Sequence, residues 1–151
     1  MLLAFARAGV FRLRGTLVGT AAYALYQGEL GGRFDIDALA QTGDIDFVGF
    51  ERLSVALGDR VEETPGDILQ ALKFDPVPGL SDRQVWKWRQ NRGAAMVAFL
   101  TPAFGDERVK PLPPLGGSAQ ALNYLNFLIA APIPAVALYR AGVLVQIPRP
   151  A

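Results

Sequence analysis

The chain has 151 residues, 51% of them apolar and 19% charged, enough for one domain to remove roughly 68–70% of its unfolded surface from water without a metal or disulfide staple. It contains neither Cys nor His, which excludes Ser-His-Asp and Cys-His relays, thiolate nucleophiles, Cys/His zinc sites and disulfides, so that oxygen-only ligation would favour Mg²⁺, Mn²⁺ or Ca²⁺. With 15 Lys+Arg against 14 Asp+Glu, the net charge of +1 gives no electrostatic case for bulk nucleic-acid binding.

Met1–Val10 is short, apolar and interrupted by Arg7; it lacks the core and cleavage pattern of a signal peptide and is predicted to be a helical tail. Absence of Cys fits a reducing compartment, and a cytoplasmic location is expected. Arg12–Gly19 alternates bulky residues with Gly and Thr, predicting a strand that ends at Gly19, with Thr20 as N-cap of a helix over Ala21–Leu30 stopped by Gly31-Gly32. Phe34–Gly43 reads as a loop. Asp44–Phe50 reads as a short strand in which Asp44 and Asp46 share one face while Ile45 and Phe47 take the other.

Leu53–Leu57 is ambiguous. Thr64 caps a helix running to Leu72 with Pro65 at its first position, and Asp75–Asp82 is a Pro/Gly loop. Val85–Gln90 and Ala95–Leu100 flank Asn91-Arg92-Gly93, which predicts an antiparallel hairpin with Gly93 available for positive φ. Thr101–Gly117 holds four Pro and reads as irregular, with Lys110–Gly117 the one linker candidate. Ala119–Ile129 is an apolar helix or strand, and Ala135–Tyr139 with Val143–Ile147 forms a second hairpin around Arg140–Gly142. No charge lies between Lys110 and Arg140, and Leu122–Tyr139 has about the length of a membrane span. Pro132, Pro134, Asn123, Asn126 and Gln120 favour a buried core segment instead, so no membrane is expected. The whole chain, 1–151, is read as a single domain.

The charge is segregated. Residues 1–33 carry four Arg and one acid, residues 34–67 nine acids and two Arg, and residues 68–151 nine bases and four acids. On charge alone a solvated acidic loop is the preferred explanation of the middle block; the alternative is carboxylates holding a divalent cation between phosphate-binding bases. The second explanation has a constellation behind it, Gly19-Thr20 followed by Asp44-Ile45-Asp46. A strand passing through a Gly-Thr turn into a helix offers backbone N–H groups and a hydroxyl to an anion. Two same-face carboxylates on a neighbouring strand can coordinate divalent cations that bridge phosphates. Together they describe a nucleoside-triphosphate (NTP) site.

The run Arg12–Tyr23, RLRGTLVGTAAY, with Gln41–Phe47, QTGDIDF, resembles the nucleotidyltransferase-like family of bacterial proteins within the DNA polymerase β-type nucleotidyltransferase superfamily. Trp88-Arg89, Phe99-Leu100-Thr101-Pro102, Leu115-Gly116-Gly117 and the Leu138–Pro148 hairpin extend the likeness over about Phe11–Pro148. The resemblance implies an α/β (α+β) fold, a mixed β-sheet flanked by helices, and a two-metal transfer of a nucleotidyl group (NMP) from an NTP to an unidentified acceptor hydroxyl. Carried over by position, Gly19 and Thr20 would contact the triphosphate, Asp44 and Asp46 would be catalytic and hold Mg (or Mn), and Arg89 would neutralise phosphate charge or form an ion pair on the sheet.

Two departures from the family pattern matter. A third carboxylate is expected on the strand leading into Leu-Thr-Pro, and the matching position here is Ala98, which cannot bind a cation or take a proton. Asp106 and Glu107, a short loop away, are the candidate substitutes. The family pattern also continues into a further helical region, so residues 119–147 are expected to be covered by a homodimer partner or a separate chain.

Other candidates have simpler explanations. Trp86 and Trp88, with Lys87 and Arg89 on the opposite face, resemble a base-stacking platform, but half-buried sheet packing explains them. Tyr23, Tyr26 and Phe34 could line a base pocket, although helix packing accounts for the two tyrosines. Asp35 and Asp37 mimic the Asp-x-Asp pair from a loop and are expected to be solvated or capping. Two functions therefore follow: an Mg-dependent nucleotidyltransferase, or a catalytically impaired nucleotidyltransferase-like binding or interaction module, the outcome turning on Ala98.

Overall fold

The computed structural model describes residues 1–33, 43–49, 59–79, 83–138 and 142–150. In chain order its elements are α1 (Leu2–Ala8), β1 (Thr16–Val18), α2 (Gly19–Leu30), β2 (Asp44–Val48), α3 (Pro65–Ala71), β3 (Phe74–Pro76), β4 (Lys87–Gln90), β5 (Met96–Ala103), β6 (Val109–Leu112), a 3₁₀ turn (Pro113–Leu115), β7 (Gly117–Asn123), α4 (Leu125–Leu128), β8 (Ile133–Ala137) and β9 (Val143–Ile147). This is the expected α/β architecture: a mixed seven-stranded sheet with helices against it, and a separate β8–β9 hairpin. The loop expectation for Phe34–Gly43 lies, apart from its last residue, outside the described residues, as do Leu53–Leu57, Phe34, Asp35 and Asp37.

The sheet is organised around β5. Its first half pairs in parallel with β2 on one side and antiparallel with β4 on the other. Leu100 pairs with both Val48 and Gln120, so β7 continues along the edge that β4 leaves. Beyond β2 lies β1, antiparallel; beyond β4 lies β3, and β6 closes the β7 edge.

Alternation divides the sheet into two faces. Leu17, Phe47, Val97, Phe99 and Trp88 point into the main core with Phe5 of α1 and Ile68 and Leu69 of α3. Phe47 is its centre: its ring meets Phe5 edge-on with centroids 5.0 Å apart, stacks on Phe99 at 5.8 Å, and lies 6.1 Å from Phe11. Each such side chain contributes about 1.5–3 kcal/mol by leaving water.

Several local expectations need correction. The strand expected over Arg12–Gly19 begins only at Thr16, because Gly9 ends α1 in the left-handed region, Arg14 adopts φ 64, and Gly15 touches Val10, where an added Cβ would stand 2.7 Å from the Val10 carbonyl oxygen. Thr20 is not the N-cap. The helix begins two residues earlier, at Gly19 with φ 69, so Val18 takes the capping position and no side chain caps the helix. Asp75 and Pro76 are in edge strand β3 rather than loop. Thr101–Gly117 is largely ordered as the end of β5, β6 and the 3₁₀ turn.

Thr64 does cap α3, its Oγ1 accepting from the Asp67 amide at 3.2 Å and donating to Asp67 Oδ2 at 2.6 Å. Both predicted hairpins form, but Gly93 does not use a positive φ, whereas Gly142 does at 84°. Ala119–Ile129 divides into strand β7 and the short α4.

Within the apolar run, Ala119, Ala121, Ile129, Val143, Val145 and Ile147 are buried by the chain itself, while Tyr124, Phe127, Val136, Leu138 and Leu144 are exposed. Among the described residues, no helix is long and apolar enough to cross a membrane.

Candidate nucleotide and cation site

β2 carries the acidic pair because its alternation is strict: Ile45 and Phe47 face the core and leave Asp44 and Asp46 together on the opposite face. Antiparallel pairing sets Val18, the last residue of β1, directly opposite Asp46. The next residue is Gly19, so the entry into α2 lies against the carboxylate. An added Cβ on Gly19 would stand 3.2 Å from Asp46 Oδ2. Glycine thus answers two requirements at position 19, a left-handed φ and a close approach to a carboxylate. The first-turn amides of α2 have no acceptor within the helix, and their dipole end is aimed at the same corner of the sheet.

The sheet register extends the site sideways. Asp46, Ala98 and Lys87 form one row across β2, β5 and β4; Asp44, Met96 and Arg89 form the next. With neighbouring strands about 4.8 Å apart, Lys87 and Arg89 lie on the order of 10 Å from the two carboxylates, measured between backbones. Gly19, Thr20, Asp44 and Asp46 are therefore brought together, and Arg89 stands on the same face two strands away.

Lys87 is the residue that sequence reasoning passed over as a water-facing base opposite the tryptophans. The signal was present in its alternation with Arg89. Its in-register position opposite Ala98 depends on the hairpin register, and its nearness to Asp46 on β5 being shared with β2.

Electrostatics agree with this geometry. Asp46 has its carboxyl pushed above the ordinary range, first by burial, then by repulsion from Asp44, while the Lys87 charge opposes the rise. Beside it on the same face, Val18, Val48 and Ile129 form a small apolar cluster supported by Leu100 and Leu125. Tyr26, whose hydroxyl donates to the Pro148 carbonyl at 2.9 Å, is also raised by burial. It packs on the core and meets Tyr23 edge-on at 6.3 Å. Trp88 is a core residue packed over Gly66, and Trp86 is half-buried.

Ala98, where the resemblance led to the expectation of a third carboxylate, lies on β5. Ala98 is buried between Asp46 and Lys87. Neither proposed substitute turns back: Asp106 pairs with Arg108 at 2.9 Å, and Glu107 Oε1 accepts from the Asn123 amide at 2.7 Å, beyond the far end of β5. Among the described residues no group of three or more carboxylates could hold a metal. Asp44 and Asp46 fit one hard divalent cation whose remaining ligands would come from phosphate oxygens and water. A cavity of about 200 Å³ lies on the other face, lined by Gly66, Arg83, Trp88, Phe99 and Leu115, away from this pair.

A mixed sheet whose acidic strand abuts a glycine-turned helix is the fold's frame for this corner. The family model described as nucleotidyltransferase matches residues 1–151, and the chain belongs to that family. No curated protein and no solved structure matches the chain.

Proposed function

We propose that the protein binds an NTP with its phosphate tail at the Gly19-Thr20 turn, Asp44 and Asp46 holding an Mg²⁺ or Mn²⁺ ion, and transfers NMP to an acceptor hydroxyl. The observation that carries this is the nearness of the Gly19 turn to Asp46, whose Oδ2 would stand 3.2 Å from a Cβ at position 19: a phosphate at the first turn of α2 would lie beside a cation on the pair. The bound cation would supply charge neutralisation and orientation for the phosphates. The acceptor oxygen forms a bond to the α-phosphorus, the bond from that phosphorus to the bridging oxygen breaks, pyrophosphate leaves, and the acceptor proton passes to solvent. Ala98 supplies no carboxylate to receive that proton.

The experiment is a thermal-shift titration with ATP and Mg²⁺. The wild-type chain is expected to gain stability with the logarithm of ligand excess over Kd, and Asp44→Ala with Asp46→Ala is expected to abolish the gain. An equal shift in the double variant would refute the site. Labelled NTPs and a panel of protein, RNA-end and small-molecule acceptors then test turnover.

A second function, nucleotide binding without transfer, is favoured by one observation, the engagement of Asp106 and Glu107 away from Ala98. Nucleotide-dependent stabilisation with no labelled product from any acceptor is its expected signature.

A further inference from the structure

Two carboxylates are a small ligand set for a site that transfers nucleotidyl groups. One divalent ion neutralises Asp44 and Asp46, which leaves the charge of a triphosphate tail to be met by something else. Two-metal clamps hold their ions about 3.5–4 Å apart, and ions that close need a bridging or additional anionic ligand. At the position best placed to provide it, β5 presents a methyl group, and Asp106 and Glu107 are committed beyond the other end of the strand.

What stands on the far side of that methyl group is a cation. Lys87 is the in-register partner of Ala98 on β4, as Asp46 is on β2. Its four-carbon stem can lie over a residue as small as Ala98 and bring the ammonium into the space between the strands. Its Nζ stands 5.9 Å from the centroid of the Trp86 ring, so reaching over Ala98 means that the flexible stem swings the ammonium away from that ring.

We infer that Lys87 stands in for a second divalent cation: its ammonium crosses over Ala98 to the phosphate tail of the bound nucleotide, and the site takes one metal ion per nucleotide. This rests on the nucleotide-binding function proposed above. It gives the small side chain at position 98 a use, since a carboxylate there would pair with Lys87 and withhold it from phosphate.

The test uses the full chain with a non-hydrolysable ATP analogue. Bound Mn²⁺ is counted by electron paramagnetic resonance, and nucleotide affinity is measured by equilibrium titration. One Mn²⁺ per chain is expected. Lys87→Met, which keeps the stem, is expected to weaken the triphosphate analogue by about 10–100-fold, the effect of losing a charged hydrogen bond, while adenosine binding stays within about twofold. Lys87→Arg is expected to restore most of the loss.

Ala98→Asp is expected to pair with Lys87 and to weaken the triphosphate analogue as Lys87→Met does, and full affinity in a folded Ala98→Asp would count against the inference; circular dichroism reports whether it folds, and Lys87→Met decides the matter if it does not. Two Mn²⁺ in the wild-type chain, or full triphosphate affinity in Lys87→Met, would overturn the inference while leaving nucleotide binding intact. A wild-type chain that binds no nucleotide would overturn both.

Discussion

The two faces of the β2–β5 strand pair are built from the same strands by alternate residues, yet they are opposites in kind. One face stacks Phe47 on Phe99 under Phe5 and buries all three rings. The other sets two carboxylates beside a methyl group, with the start of a helix on one flank and two basic side chains on the other. The first face supplies the stability that the second gives up, since Asp44 and Asp46 repel one another and Asp46 is held partly out of water. Rigid packing behind a strand is what permits an unfavourable pair of charges to be kept in front of it.

Breaking the core face should have the largest effect. Phe47→Ala is expected to cost about 3–5 kcal/mol, read as a loss of the cooperative melt by circular dichroism at ordinary temperatures. Next comes the hinge between the faces. Gly19→Ala forces a Cβ into the left-handed region and toward Asp46 Oδ2, at about 1–2 kcal/mol for the backbone alone. A chemical denaturation midpoint would report that cost, and the ATP-dependent thermal shift should disappear with it. Retention of the full shift would show that the turn does not meet the phosphates.

The opposite face yields a change of sign. Because the folded-state pKa of Asp46 is raised, its ionisation opposes folding: the penalty is absent below the unfolded carboxylate pKa and develops as pH rises through the folded value. Asp46→Asn is therefore expected to raise the melting temperature at pH 7 and to lose that advantage as pH falls below the ordinary carboxylate range, while abolishing Mg²⁺-dependent nucleotide stabilisation. Melting curves from pH 3 to pH 8 check both halves. A variant less stable than wild type at pH 7 would show that the Lys87 attraction outweighs burial. Arg89→Ala should have the smallest effect, with stability within about 0.5 kcal/mol, as for an exposed residue. Nucleotide affinity should fall severalfold, the loss shrinking at high salt.

Local features were legible in the sequence where a single element determines them. The face shared by Asp44 and Asp46 follows from alternation, the Thr64 cap from Pro65 at the first helical position, and the end of α2 from Gly31, which adopts φ 65. What depends on a partner strand was not legible. Thr101–Gly117 looked irregular because of its prolines, yet Pro102 lies past Leu100, where β2 no longer pairs with β5, and Pro111 lies on the edge strand β6. Proline is compatible with strand positions whose N–H would find no ladder partner.

Thr20 was misassigned as a cap because a left-handed glycine at residue 19 starts the helix two residues sooner, a turn that depends on the close approach to β2. Lys87 was overlooked for the same class of reason: a strand's own pattern says which residues share a face, and only its neighbours say what they share it with.

The hydrogen bond from Tyr26 to the Pro148 carbonyl has a temporal consequence. It joins residues 122 apart in the chain, and β8 packs on α2 while β9 packs on α1 and β1. The helix that opens at Gly19 is synthesised early, but its seat is complete only when residue 148 is free to fold. During synthesis the Asp46 carboxylate and the Gly19 turn can therefore exist for the time of more than a hundred further peptide bonds before the packing that seats α2 is available. Such long-range closure slows folding, and it makes the seating of the helix beside this corner a late event rather than a local one.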